Sequence, residues 1–239
     1  MAKSVDQFFD ELESEILKHP AVKSHPYLQK FSKKADKRAA KLFGEQYYCF
    51  SRHFSRYLAG AVAICPDEAG RAPLIKNLFE EYGGRSEEQK GMNPELTHPA
   101  LFRRFLKAVG VDTSQKGLDS IKPLPETALF VEKYLNIHYM NYVEALGALG
   151  PGTEFIVPTM YVPIRDGLKH AGLSDDDVLF FSAHIELDVE HAANIRKSLA
   201  FCAQTDEDQA RIRKGAFDFL DTRAVLWSGL ERASEQYFK

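Results

Sequence analysis

His184, Asp188 and His191 are spaced four and three residues apart. On an α-helix those intervals stack the three side chains on one face, each about a turn from the next. Phe180, Phe181, Leu187, Ile195 and Leu199 share that sector, while Glu186, Glu190, Ala193 and Lys197 fall opposite. Two imidazoles and a carboxylate are thus expected inside the apolar stripe of a packed helix. An ionised carboxylate buried there is costly unless something compensates its charge. A divalent cation does so, and His with carboxylate is a ligand set that suits one. The three groups could also satisfy each other by hydrogen bonds, so the choice rests on whether other segments bring matching donors.

Three further polar residues occupy core positions. Glu81 lies on the face of Leu74 and Leu78, whereas its neighbour Glu80 faces Lys76. His98 heads the stripe of Leu101, Phe102 and Phe105, and Glu154 shares a face with Leu146, Val157, Tyr161 and Ile164. Each alone reads as an ordinary core hydrogen-bonder. Together, three carboxylates and three imidazoles in a helical core come close to what two non-haem iron or manganese ions require. Zinc normally takes fewer ligands. Tyr47, Tyr48, Arg52, His53 and Tyr57 mark successive turns of an earlier helix. Tyr47, Arg52, Tyr57 and Tyr161 are candidate substrate contacts, the arginine for a carboxylate, although tyrosines at that spacing also serve as core.

The elements that must position these groups read as helices almost throughout, with no clean alternating strand. Residues 4–18 place Val5, Phe8, Phe9, Leu12 and Ile16 on one side, and His19-Pro20 ends that helix. A short piece at 26–32 leads to a basic cluster, Lys30, Lys33, Lys34, Lys37, Arg38 and Lys41, which reads as a solvated face. A long helix is expected over 35–64 and another over 67–82, followed by a Gly-, Ser- and charge-rich loop at 83–97. The helix from His98 to about Val109 is capped by Gly110, and 111–124 connect. The region 125–170 is helical but punctuated by Gly150-Pro151-Gly152, Pro158 and Pro163, which predicts a bend near 154. Ser174 and Asp177 form a capping-box variant before a helix at 175–202, and a last helix spans about 206–236. Nothing divides the chain, so 1–239 is expected to be a single all-α bundle of about seven helices.

Composition narrows the function classes. Across 239 residues, 44% hydrophobic and 27% charged content is ordinary for a globular chain. A net charge of -3 implies no nucleic-acid or anionic-membrane partner. Cys49, Cys65 and Cys202 have no pair spacing, which argues for a reducing compartment and against a disulfide framework. The N-terminus shows no signal-peptide pattern and no apolar run approaches a membrane span, so a cytoplasmic location is expected.

The run Asn77-Leu78-Phe79-Glu80-Glu81-Tyr82-Gly83-Gly84, then His98-Pro99-Ala100-Leu101-Phe102, then Ala108-Val109-Gly110, resembles the core of the haem-oxygenase-like (TenA/PqqC-like) superfamily. His184-x-x-x-Asp188-x-x-His191 resembles its iron-binding branch, the di-metal oxidases. The resemblance covers roughly residues 20–230. It implies a seven-helix bundle with ligands at Glu81, His98, Glu154, His184, Asp188 and His191. It implies two non-haem iron ions, with manganese as an alternative, O2 as co-substrate and no haem. The activity implied is an O2-dependent oxidase or oxygenase acting on a small carboxylate- or amine-bearing metabolite. Glu95, three residues before His98, could replace Glu81 or join it. The competing readings are a metal-free TenA/PqqC-like enzyme and a small-molecule-binding helical protein; a homodimer is left open. Against the TenA hydrolases, Pro151 is followed by Gly152 where a nucleophilic cysteine is looked for.

Overall fold

A computed structural model of the chain describes residues 4–84 and 93–238, with the backbone but not the side chains of 186–191. The described residues form twelve α-helices and no strand: α1 Val5–Ile16, α2 Pro26–Lys34, α3 Lys37–Ser51, α4 Phe54–Ile64, α5 Glu68–Glu81, α6 His98–Ala108, α7 Gln115–Ser120, α8 Pro125–Leu135, α9 Tyr142–Leu149, α10 Val157–His170, α11 Leu179–Cys202 and α12 Asp206–Ser234. The segments outnumber the seven expected because long helices are interrupted. The 35–64 helix breaks at Arg52-His53, where His53 adopts φ -110 and ψ 3. The 125–170 region breaks twice, and α7 forms within the expected connection. The bend anticipated near 154 is a full break, with a 3-10 turn at Glu154–Ile156 leading into α10. Local capping follows the sequence. Ser4 and Gln7 close a capping box on α1, and the Ser174 and Asp177 side chains bond each other's backbone before α11.

The core is aromatic. Trp227 of α12 is fully buried and its indole N–H donates to the Ala21 carbonyl at 2.8 Å. Its ring is stacked with Tyr27 of α2 and Tyr47 of α3 at centroid distances of 5.8 and 6.3 Å. This stack locks α3 against α12, so one wall of the central cavity is held by rigid, low-entropy side chains. α9 and α12 cross closely because Gly147 and Gly215 face the other helix's backbone. A Cβ on Gly147 would strike the Ile212 carbonyl, and one on Gly215 the Glu144 carbonyl. That crossing aims the end of α9, and hence the turn carrying Glu154, at the interior.

Candidate metal centre

Glu81 is the last residue of α5 and His98 the first of α6. α5 stops because Gly83 takes φ 75, a left-handed conformation that a side chain would strain. The Gly83 N–H then bonds the Glu80 carbonyl and the Gly84 N–H the Phe79 carbonyl, at 2.9 and 3.0 Å. Asn93 returns to this cap, its N–H donating to the Gly83 carbonyl at 3.2 Å. Thr97 opens α6 by accepting from the Ala100 N–H, with Pro99 in the first turn. Two terminal caps therefore bring two sequence-distant residues together. His98 Nδ1 stands 2.8 Å from Glu81 Oε2, both buried. Glu95 is exposed in a short 3-10 turn and does not share this interior position.

His184 lies in the second turn of α11, 8% exposed. Its ring sits 4.1 Å from that of His98 and 4.2 Å from that of Phe180. The Nδ1 atom is 2.6 Å from the Phe180 carbonyl. A carbonyl only accepts, so Nδ1 carries the proton and the neutral ring presents Nε2 as its lone-pair nitrogen. This second partner is the kind that fixes the tautomer of a metal-binding histidine. Glu154 is 2% exposed and lines the same cavity. Asp188 and His191 lie on α11, but their side chains fall outside the described residues.

Glu81, His98 and His184 each offer a donor atom within 4.8 Å of the other two, and all three are buried. Adjacent donors on an octahedral ion with bonds of about 2.1 Å are about 3 Å apart, and opposite ones about 4.2 Å. Donors this close can converge on one ion with small side-chain adjustments, and two imidazoles with a carboxylate suit iron or manganese.

These groups form the inner end of a cavity of about 200 Å³. Tyr47, Phe50, Phe102, Tyr161 and Phe180 give it largely aromatic walls. The Tyr47 and Tyr161 hydroxyls are 2.9 Å apart, and the Tyr161 ring is 5.7 Å from that of His184. The outer end carries Arg52, Arg103, Gln115 and Tyr48. Arg52 stacks over the Tyr48 ring at 5.1 Å and bonds Asp119 at 3.1 Å. Arg103 is exposed and forms no ion pair among the described residues. Burial raises the Tyr48 hydroxyl pKa, with Arg52 and Arg103 opposing it. Of the four candidate substrate contacts, Tyr47, Arg52 and Tyr161 line this cavity, and Tyr57 does not. At the break between α3 and α4 the Phe50 carbonyl accepts from the Tyr57 hydroxyl at 3.2 Å, which turns that hydroxyl away. None of the three cysteines is among the lining residues, and burial pushes the Cys49 thiol up to about 11.

Two features escape the sequence reading, one at the cavity mouth and one in the core. Helical periodicity puts Arg103 on the outer face of α6 but cannot show that this face flanks a cavity mouth. Arg223 is fully buried in α12. Its signal was present, since it lies four residues from both Phe219 and Trp227, inside the apolar stripe.

Known proteins resemble the chain over most of its length. The chain is 28% identical to a Streptantibioticus cattleyicolor protein named 4-chloro-allylglycine synthase, over 95% of this chain and 83% of the relative. It is 24% identical to a Chlamydia muridarum 4-aminobenzoate synthase, over 90% and 89% of the two chains. A solved structure from Shewanella denitrificans, a domain of unknown function with a haem-oxygenase-like fold, superposes with a TM-score of 0.70 at 19% identity, covering 97% of this chain and 92% of that one. The all-α bundle is thus a haem-oxygenase-like, TenA-like fold. The model of the family described as "Iron-containing redox enzyme" matches residues 41–224, and the chain belongs to that family.

Proposed function

We propose that the protein is an O2-dependent non-haem iron oxidase or oxygenase acting on a small metabolite that carries a carboxylate and an amine. The observation carrying this reading is the buried convergence of Glu81, His98 and His184 at the inner end of the cavity. Glu154, Asp188 and His191 complete the proposed set for two iron ions, with manganese as an alternative second metal. Iron held there would supply electrons and the means to activate O2.

The chain's own groups do the rest. Phe50, Phe102 and Phe180 exclude bulk water from the buried donors. Arg52 and Arg103 at the outer end hold the substrate carboxylate, and the carbon skeleton extends inward along the aromatic walls. The Tyr47 and Tyr161 hydroxyls offer a polar contact beside His184. A cavity of about 200 Å³ suits a molecule of amino-acid size. The names of the two relatives point the same way, since 4-chloro-allylglycine and 4-aminobenzoate each bear both groups. A thiol-dependent hydrolase is disfavoured because the cysteines lie away from the cavity.

O2 uptake tests this. Protein loaded anaerobically with ferrous iron should consume O2 faster than free ferrous ion at equal concentration, and Glu81→Ala should abolish the difference. Uptake no faster than that of the free ion would sink the proposal.

A further inference from the structure

Arg223 is completely enclosed and forms no ion pair with a carboxylate among the described residues. Its guanidinium lies over the Phe130 and Phe50 rings at 4.9 and 5.6 Å. A buried cation without a carboxylate is expensive, and such a group needs a reason to be there. Its Nη2 donates to the Tyr134 hydroxyl oxygen at 3.0 Å. Tyr134 in turn bonds the Thr153 hydroxyl, and Thr153 donates to the Ala148 carbonyl at 2.8 Å.

The direction of every bond in this chain is forced. A carbonyl only accepts, so the Thr153 proton points to Ala148. Tyr134 must then donate to Thr153, and a guanidinium can only donate to Tyr134. The chain ends on Thr153, whose backbone at φ -138 and ψ -72 is not helical and which directly precedes Glu154. Gly152 is pressed against the Ala148 carbonyl, where a Cβ would come within 2.7 Å. The turn's backbone is also fixed, with the Gly152 and Thr153 N–H groups bonded to the Gly147 and Gly150 carbonyls at 2.9 and 3.1 Å, and the Thr153 hydroxyl adds a side-chain tie at the residue from which Glu154 leaves the turn.

We propose that Arg223 is a positioning residue that acts through Tyr134 and Thr153 to hold the Glu154 carboxylate in the cavity as a metal ligand. This inference rests on the iron reading of the site. α12, remote in sequence from the ligands, is thereby tied to the geometry of the centre. Outer contacts of this kind typically change metal affinity by about 10- to 100-fold.

The test compares ferrous iron affinity, measured anaerobically by chelator competition, in Tyr134→Phe, Thr153→Val and Thr153→Ser, with far-UV circular dichroism confirming the fold. Tyr134→Phe and Thr153→Val should stay helical and bind iron about tenfold or more weakly, while Thr153→Ser should restore the affinity. If Tyr134→Phe does not fold, the isosteric Thr153→Val and the hydroxyl-keeping Thr153→Ser decide the matter. Wild-type affinity in Thr153→Val, alongside loss of iron in His184→Ala, would overturn the positioning role while leaving the iron site intact. Undiminished iron binding in His184→Ala would overturn the iron reading and this inference with it.

Discussion

His184 Nδ1 lies 2.6 Å from the carbonyl of Phe180, the residue one helical turn earlier. The backbone of α11 thus sets the protonation pattern of its own histidine and leaves Nε2 as the coordinating atom. Nitrogen NMR of ring-labelled protein at pH 8 should show His184 as the Nδ1–H tautomer before metal is added. Zinc, a diamagnetic stand-in, should shift its Nε2 resonance and not its Nδ1. An Nε2–H tautomer in the metal-free protein would contradict this assignment.

The arginines at the cavity mouth should govern binding rather than chemistry. A charge-assisted hydrogen bond is worth about 1.5–3 kcal/mol, so losing one weakens binding about tenfold or more. Ligand-observed NMR with amino acids and aromatic carboxylates should find binders whose carboxamides fail to bind. Arg103→Gln and Arg52→Gln should each weaken those binders about tenfold. Equal binding of an acid and its amide would rule out this role.

His25 gives the fold a pH dependence. Its Nδ1 accepts from the Tyr27 N–H at 3.2 Å and caps α2, and its Nε2 lies 3.2 Å from the Ser228 hydroxyl. Ser228 donates to the Ala224 carbonyl, so His25 must be the donor in that second bond. The neutral ring is therefore required. Burial lowers its pKa from the ordinary 6.5, with Glu231 opposing. The folded state then binds fewer protons than the unfolded one just below pH 6.5, so stability falls as the pH drops through that range. Urea melts at pH 7.5 and 5.5 should differ by less in His25→Asn, which keeps a capping side chain without the titration. An unchanged difference would exclude His25 as the source.

Trp227 should dominate core stability. Trp227→Ala removes the ring between Tyr27 and Tyr47 and its bond to Ala21, and should cost about 3–5 kcal/mol in chemical denaturation. A loss below about 1 kcal/mol would mean the stack is not what fixes α3 to α12.

Much of this centre was legible in the sequence. Glu81, His98 and His184 could be read as inward-facing because each shares helical spacing with large apolar residues, and a charged or imidazole group in such a stripe needs a partner. The caps that meet between Glu81 and His98 were partly visible in Gly83 and Pro99. The break at Arg52-His53 was not, because no proline or glycine marks it and the tertiary contacts of Phe50 and Tyr57 stabilise it. Tyr57 followed the wrong side of that break. Whether Glu95 or Glu81 faces inward depended on the loop between them, which has no periodicity to read. Arg223 stood in the apolar stripe of the last helix, yet its role depends on Tyr134 and Thr153, which are 89 and 70 positions earlier in the chain.

Iron content is the most direct measurement on the centre itself. After anaerobic loading with ferrous iron and removal of excess, the wild-type chain should retain two irons, and His184→Ala and Glu81→Ala should each lose iron while remaining helical by circular dichroism. Wild-type protein that retains no iron, or variants that retain as much as the wild type, would contradict a metal centre built on Glu81, His98 and His184.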